Sequence, residues 1–280
     1  MSDHHSETQP KSATPESPLR ALSTQLQQIA KQVANACKAV GNREPTAAGD
    51  LEQVLKLARQ MDWPELLECL HEATSAAQKR FDEEIASRRE NLQHAAKDAG
   101  VPTELRAKSD RIGIFTVDYK GASALINLGG LQVETRKETD GRKLFEAIQK
   151  CRSTLDSVKF QRDQFFQELK TAMEHCRRLG VGGDGFIPLR DLHRELVLDR
   201  TRRSDRFRRA PEPKNMEPYP LYQFMFDLAR FGQRGWLSGS EKLATQAPAM
   251  REFKDTVFLV NLEHPLAQET AVARLAIKPT

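Results

Sequence analysis

The densest chemistry in this sequence is a run of cations. Arg200, Arg202, Arg203, Arg206, Arg208, Arg209 and Lys214 stand within fifteen positions, opposed inside that segment only by Asp205 and Glu212. A guanidinium stays charged at physiological pH and presents a planar fork of donors that fits a phosphate with two parallel hydrogen bonds. Phe207 lies among them, and an aromatic ring can stack on a base or anchor the segment. The chain of 280 residues holds 43 Lys and Arg against 39 Asp and Glu, a net charge of +4. Seven cations less two carboxylates make the segment +5, so the other 265 residues sum to about −1. A grip on six or so phosphates would weaken by roughly a thousandfold or more between low and physiological salt. The same residues also suit a solvated basic loop or a dock for an acidic protein surface. The phosphate reading requires these side chains to stand clear of the chain's own carboxylates.

Other arrangements that could do chemistry are incomplete. The loop Gly180-Val181-Gly182-Gly183-Asp184-Gly185 has the flexibility to cradle an oxyanion, but no Lys-Ser or Lys-Thr pair follows it. It also leaves a predicted helix C-terminus, where the dipole repels anions. Glu68 and His71 share the spacing used by carboxylate-bridged di-iron bundles, yet neither Glu90 with His94 nor Glu174 with His175 repeats it. Asp191 and His193 point about 200° apart on a helix. Ser238 and Ser240 lack a signature that activates a nucleophile. Cys37, Cys69, Cys151 and Cys176 include no Cys-x-x-Cys pair, so reduced, buried thiols are expected. No metal, no cofactor and no catalytic residue is assigned.

The elements that position the cations follow from periodicity. Residues 1–18 are polar and have little to bury, which predicts a disordered tail and, with no apolar leader core, a cytoplasmic protein. No apolar run approaches the roughly 20 residues that span a bilayer, so no membrane contact is expected. Leu19, Leu22, Leu26, Ile29, Val33, Ala36 and Val40 mark one helical stripe, and a polar loop at 42–49 leads to Asp50 as the cap of a short helix. Asp62-Trp63-Pro64-Glu65 is a helix start, and that helix should reach residue 99 before Gly100 and Pro102.

The period then changes to two. Residues 112–137 read as a three-stranded antiparallel meander with turns at Gly121 and at Gly129-Gly130. A single long helix is predicted over 140–180, with a seven-residue repeat through Leu144, Ile148, Cys151, Leu155, Val158, Arg162, Phe165, Leu169, Ala172, Cys176 and Leu179. Leu155, Val158, Arg162, Phe165 and Leu169 are the candidate seam toward another helix, either of this chain or of a partner. Beyond residue 180 come a short strand at 185–187, helices at 188–198 and 219–231 flanking the Arg-rich loop, and strands at 256–262 and 270–278.

These elements amount to a predominantly helical α+β protein. A disordered tail (1–18) precedes a helical module (19–100), a meander with the long heptad helix (101–180) and a C-terminal domain (181–280) whose element order matches a winged helix. The expected function is a non-enzymatic accessory subunit that binds nucleic acid, DNA foremost, through the arginines. The alternative is a coiled-coil adaptor that bridges protein partners, or copies of itself, without touching nucleic acid.

Overall fold

The computed structural model describes residues 27–35, 38, 52, 54–56, 59, 64–120, 123–137, 140–249 and 257–280. The chain divides into two compact units, residues 1–84 and 85–280. The tail expected at 1–18, the loop at 42–49 and the cap at Asp50 lie outside the described residues. In the first unit residues 27–35 are helical, and Ile29, Val54 and Leu55 are buried.

Helix α1 spans Pro64–Asp98, within a residue of the predicted bounds. Its end closes when Gly100 donates to the Lys97 carbonyl and Val101 to the Ala96 carbonyl, which satisfies acceptors the helix leaves open. The following sheet has five antiparallel strands in chain order: β1 Thr103–Leu105, β2 Ser109–Ile112, β3 Phe115–Lys120, β4 Ser123–Leu128 and β5 Leu131–Arg136. The expected meander is β3 to β5, and two short strands precede it. Strand β2 is hard to read because two of its four residues, Asp110 and Arg111, are charged yet buried. Asp110 accepts from the Arg89 guanidinium at 2.7 Å and from the Tyr119 hydroxyl at 2.7 Å, so its burial is compensated on two sides.

The predicted helix over 140–180 is two helices, α2 Gly141–Ser157 and α3 Arg162–Arg178. The apolar period carries across the gap, but the backbone does not. Val158 is extended and exposed. The last carbonyls of α2 find distant donors: Gln223 reaches the Leu155 carbonyl, and Arg230 reaches those of Asp156 and Val158. Asp140 caps the other end by accepting from the Arg142 amide at 2.8 Å.

The remaining elements are β6 Ile187–Pro188, α4 Leu189–Arg203, α5 Asp205–Arg209, a 3₁₀ turn Pro213–Asn215 and α6 Leu221–Gln233. Then come β7 Leu237–Ser238, β8 Glu241–Gln246, β9 Val257–Leu259, β10 Thr270–Val272 and β11 Arg274–Pro279. The expected C-terminal hairpin is corrected here. β9 pairs with β10 in a separate two-stranded sheet, whereas β11 joins a four-stranded sheet ordered β6-β11-β8-β7. Strand β8 escapes a reading by period because Leu243 is its sole buried residue.

One hydrophobic core runs through the second unit, from Leu92 of α1 through the sheet and α2 to α6. Phe165 and Phe166 of α3 meet Phe224 and Phe231 of α6, with ring centroids 5.6 to 6.3 Å apart.

Candidate functional site

The Arg-rich segment is a helical elbow. Ser204 ends α4 and begins α5 in extended geometry. The elbow is pinned from behind: Arg206 donates through Nε to the buried Asn215 side chain at 2.8 Å, Asn215 donates to the Ala210 carbonyl, and the Glu217 amide donates to the Thr201 hydroxyl. The cations cluster in the last turns of α4 and α5, where the helix dipoles favour positive charge.

The seven cations divide by their partners. Arg200 is turned inward: its guanidinium donates to Glu168 of α3 at 2.7 and 2.9 Å and lies 3.8 Å from the centre of the Tyr219 ring. Its charge is cancelled inside the protein, which removes it from the phosphate-facing set. Arg203 approaches Asp199 at 2.6 Å without an aligned hydrogen bond, and Lys214 approaches Glu212 at 2.6 Å. Arg208 and Asp205 are 3.9 Å apart and both well exposed. Exposed pairs of this kind contribute at most about 1 kcal/mol, so they exchange readily for another anion. Arg202 and Arg209 are exposed and, among the described residues, meet no carboxylate, while Arg206 touches only the neutral Asn215. Seven cations facing four carboxylates leave three positive charges unbalanced.

Beside the elbow lies a cleft of about 650 Å³ that the sequence did not reveal. Arg200, Arg203 and Ser204 form one wall, the connection through Val158, Lys159, Phe160 and Gln161 another, and Glu217, Pro218, Tyr219, Pro220 and Tyr222 a third. Its floor is a satisfied polar network. The Tyr219 hydroxyl donates to Asp227 at 2.7 Å, Gln223 donates to the same carboxylate at 3.1 Å, and Gln164 donates to Glu168 at 2.9 Å. Burial raises the Asp227 carboxyl and raises the Tyr219 phenol far more, so the phenol stays protonated as the donor. The one sequence signal for this cleft is Tyr219 set between Pro218 and Pro220, which fixes an extended backbone there.

His193 on α4 packs against Tyr219 and Phe224, and its Nε2 is 2.8 Å from the Tyr219 carbonyl, which makes that nitrogen the donor. Burial lowers its pKa from the usual 6.5, with Arg200 and Arg190 adding to the effect. Below pH 6.5 the unfolded chain takes up a proton that the folded chain refuses, so this residue's contribution to stability falls as pH drops through that window. Asp227 and Glu269, both raised by burial, act in the opposite sense. The urea midpoint of the His193→Gln variant is therefore expected to fall less between pH 7.5 and 5.5 than that of the parent chain. Equal falls would contradict the assignment.

The candidate seam is placed differently from a docking face. Leu155, Phe165 and Leu169 are buried in the chain's own core, so they present no surface to a partner. Val158 is exposed in the connection, and Arg162 opens α3, donating to the Gly235 and Leu237 carbonyls while lying 4.5 Å from the Phe231 ring centre. The glycine loop closes α3: Gly180 donates to the Arg177 carbonyl, and Asp184 is held by Arg274 at 3.0 Å. Burial raises the Cys151 thiol to about 12 and the Cys176 thiol to about 11, which keeps both as unreactive thiols. Among the described residues no three His, Cys, Asp or Glu side chains gather as metal ligands, and no helix is long and apolar enough to cross a membrane. Compared with protein-family models, curated proteins and solved structures, the chain finds no match.

Proposed function

We propose that this chain is a non-enzymatic nucleic-acid-binding subunit whose grip is the α4–α5 elbow. The observation that carries the reading is the set Arg202, Arg206 and Arg209, exposed on a short helical platform with no carboxylate against them. Arg208, Arg203 and Lys214 add cations whose surface partners are weakly held. We further read 162–279 as a winged-helix-like arrangement, supported by the order α3, β6, α4, α6, then a strand pair, and by β6 lying beside β11.

That reading departs from groove recognition in one respect. The helix that would enter a major groove is α6, and residues 223–229 of it are all buried. With no side-chain row free to meet base edges, contacts fall on the sugar–phosphate backbone and carry no base sequence. Such a subunit supplies affinity, and any chemistry comes from other chains of its complex. The test is the chain in which Arg202, Arg206, Arg208 and Arg209 all become Glu, assayed by fluorescence anisotropy on a labelled oligonucleotide at low salt. Loss of binding is expected, and binding equal to the parent would overturn the proposal.

A further inference from the structure

We infer that the cleft beside the elbow receives an unpaired nucleobase, which makes the preferred ligand single-stranded nucleic acid. This rests on the elbow reading and deepens it. A buried α6 removes duplex groove reading, so any discrimination has to come from another surface next to the arginines. The cleft is that surface, because Arg203 and Ser204 belong to both. Its volume of about 650 Å³ lies in the range of sites that enclose small organic ligands.

The chemistry of the walls suits a base with its phosphates outside. Tyr222 is half-exposed on the wall and, among the described residues, makes no ring contact, so a ring face is open for stacking. Phe160, whose ring already meets Phe165 and Arg230, forms a fixed apolar side. The inner carboxylates are already engaged, Glu168 by Arg200 and Gln164, and Asp227 by Tyr219 and Gln223. Glu217 stands exposed at the mouth, where it accepts from an exocyclic amine and repels a phosphate. Cations stand on separate walls, Lys159 on the α2–α3 connection and Arg203 on α4, so a strand crossing the mouth meets positive charge on each side of the inserted base. A base held in a duplex cannot enter without unpairing, which costs free energy.

The test compares anisotropy titrations of the full chain with a labelled single strand and with the same sequence as duplex. Tyr222→Leu keeps an apolar side chain but removes the ring, and its thermal midpoint verifies folding. The parent chain is expected to favour the single strand by about tenfold, and Tyr222→Leu to bring that ratio close to one, in line with the roughly tenfold contribution of one stacked base. Equal affinity for both forms, or an unchanged ratio in Tyr222→Leu, would overturn the cleft proposal. If the elbow charge reversal abolishes binding while Tyr222→Leu changes nothing, the cleft fails and the elbow stands. If the charge-reversed chain binds like the parent, or the parent binds neither form, the elbow reading fails with it.

Discussion

Reversing Arg202, Arg206, Arg208 and Arg209 to Glu is expected to lower nucleic-acid affinity by at least about a thousandfold at low salt while the chain stays folded. Four phosphate contacts become four repulsions, and each charge-assisted contact is among the stronger hydrogen bonds available to a protein. Four neutralised phosphates also give the parent chain a salt slope of about −3 to −4, a loss of roughly a hundredfold between 50 and 200 mM salt. The reversed chain should show no such slope. Folding survives because the four side chains are exposed. The one internal bond lost is from Arg206 to Asn215, at a cost of about 1 kcal/mol. Circular dichroism alongside the titration separates lost binding from lost structure. A Glu168→Gln substitution should instead lower stability, because it leaves the inward Arg200 charge without its carboxylate.

Gly129→Ala is expected to destabilise the second unit by about 2–5 kcal/mol, a large part of an ordinary domain's stability. Gly129 has φ of +55° in the turn between β4 and β5, a conformation that costs an L side chain about 1–2 kcal/mol. An added Cβ would also lie 1.9 Å from the Phe258 carbonyl oxygen, where backbone has to move, and overpacking of this kind costs about 1–3 kcal/mol. The contact is two-sided, since the Phe258 amide donates to the Gly129 carbonyl at 3.2 Å. Gly130 gives the comparison: its φ is +79°, but a Cβ there would meet only the Phe258 ring at 3.5 Å. Gly130→Ala should therefore cost about 1–2 kcal/mol in urea denaturation. Equal losses in the two variants would contradict the close approach of β9 to this turn.

Much of the local structure was legible because local signals set it. Pro64 and Gly100 bracket α1, Gly129-Gly130 mark a two-residue hairpin, and the leucines of α4 and phenylalanines of α6 recur at helical spacing. What was missed depends on distant partners. The break between α2 and α3 is invisible in the period, since Leu155 and Phe165 keep the apolar phase on both sides. It is made by Gln223 and Arg230, about seventy residues away, taking the last carbonyls of α2. Strand β8 shows no alternation strong enough to detect, and its pairing with β11 decides which C-terminal strands form a sheet together.

The candidate site divides the same way. Composition locates the arginine cluster but does not tell which members face solvent. Arg200 looks equivalent to Arg202 in sequence, yet one helical turn of geometry points it at Glu168 and Tyr219. The cleft joins residues 154–165, 200–204 and 217–227, whose convergence requires the packed helices.

The most direct measurement is arginine modification by phenylglyoxal, read residue by residue by mass spectrometry with and without a bound oligonucleotide at low salt. Protection concentrated on Arg202, Arg206, Arg208 and Arg209, with the exposed Arg178 at the end of α3 modified equally in both samples, is the expected result. Modification of those four arginines at the same rate with and without oligonucleotide would contradict a phosphate grip at the elbow.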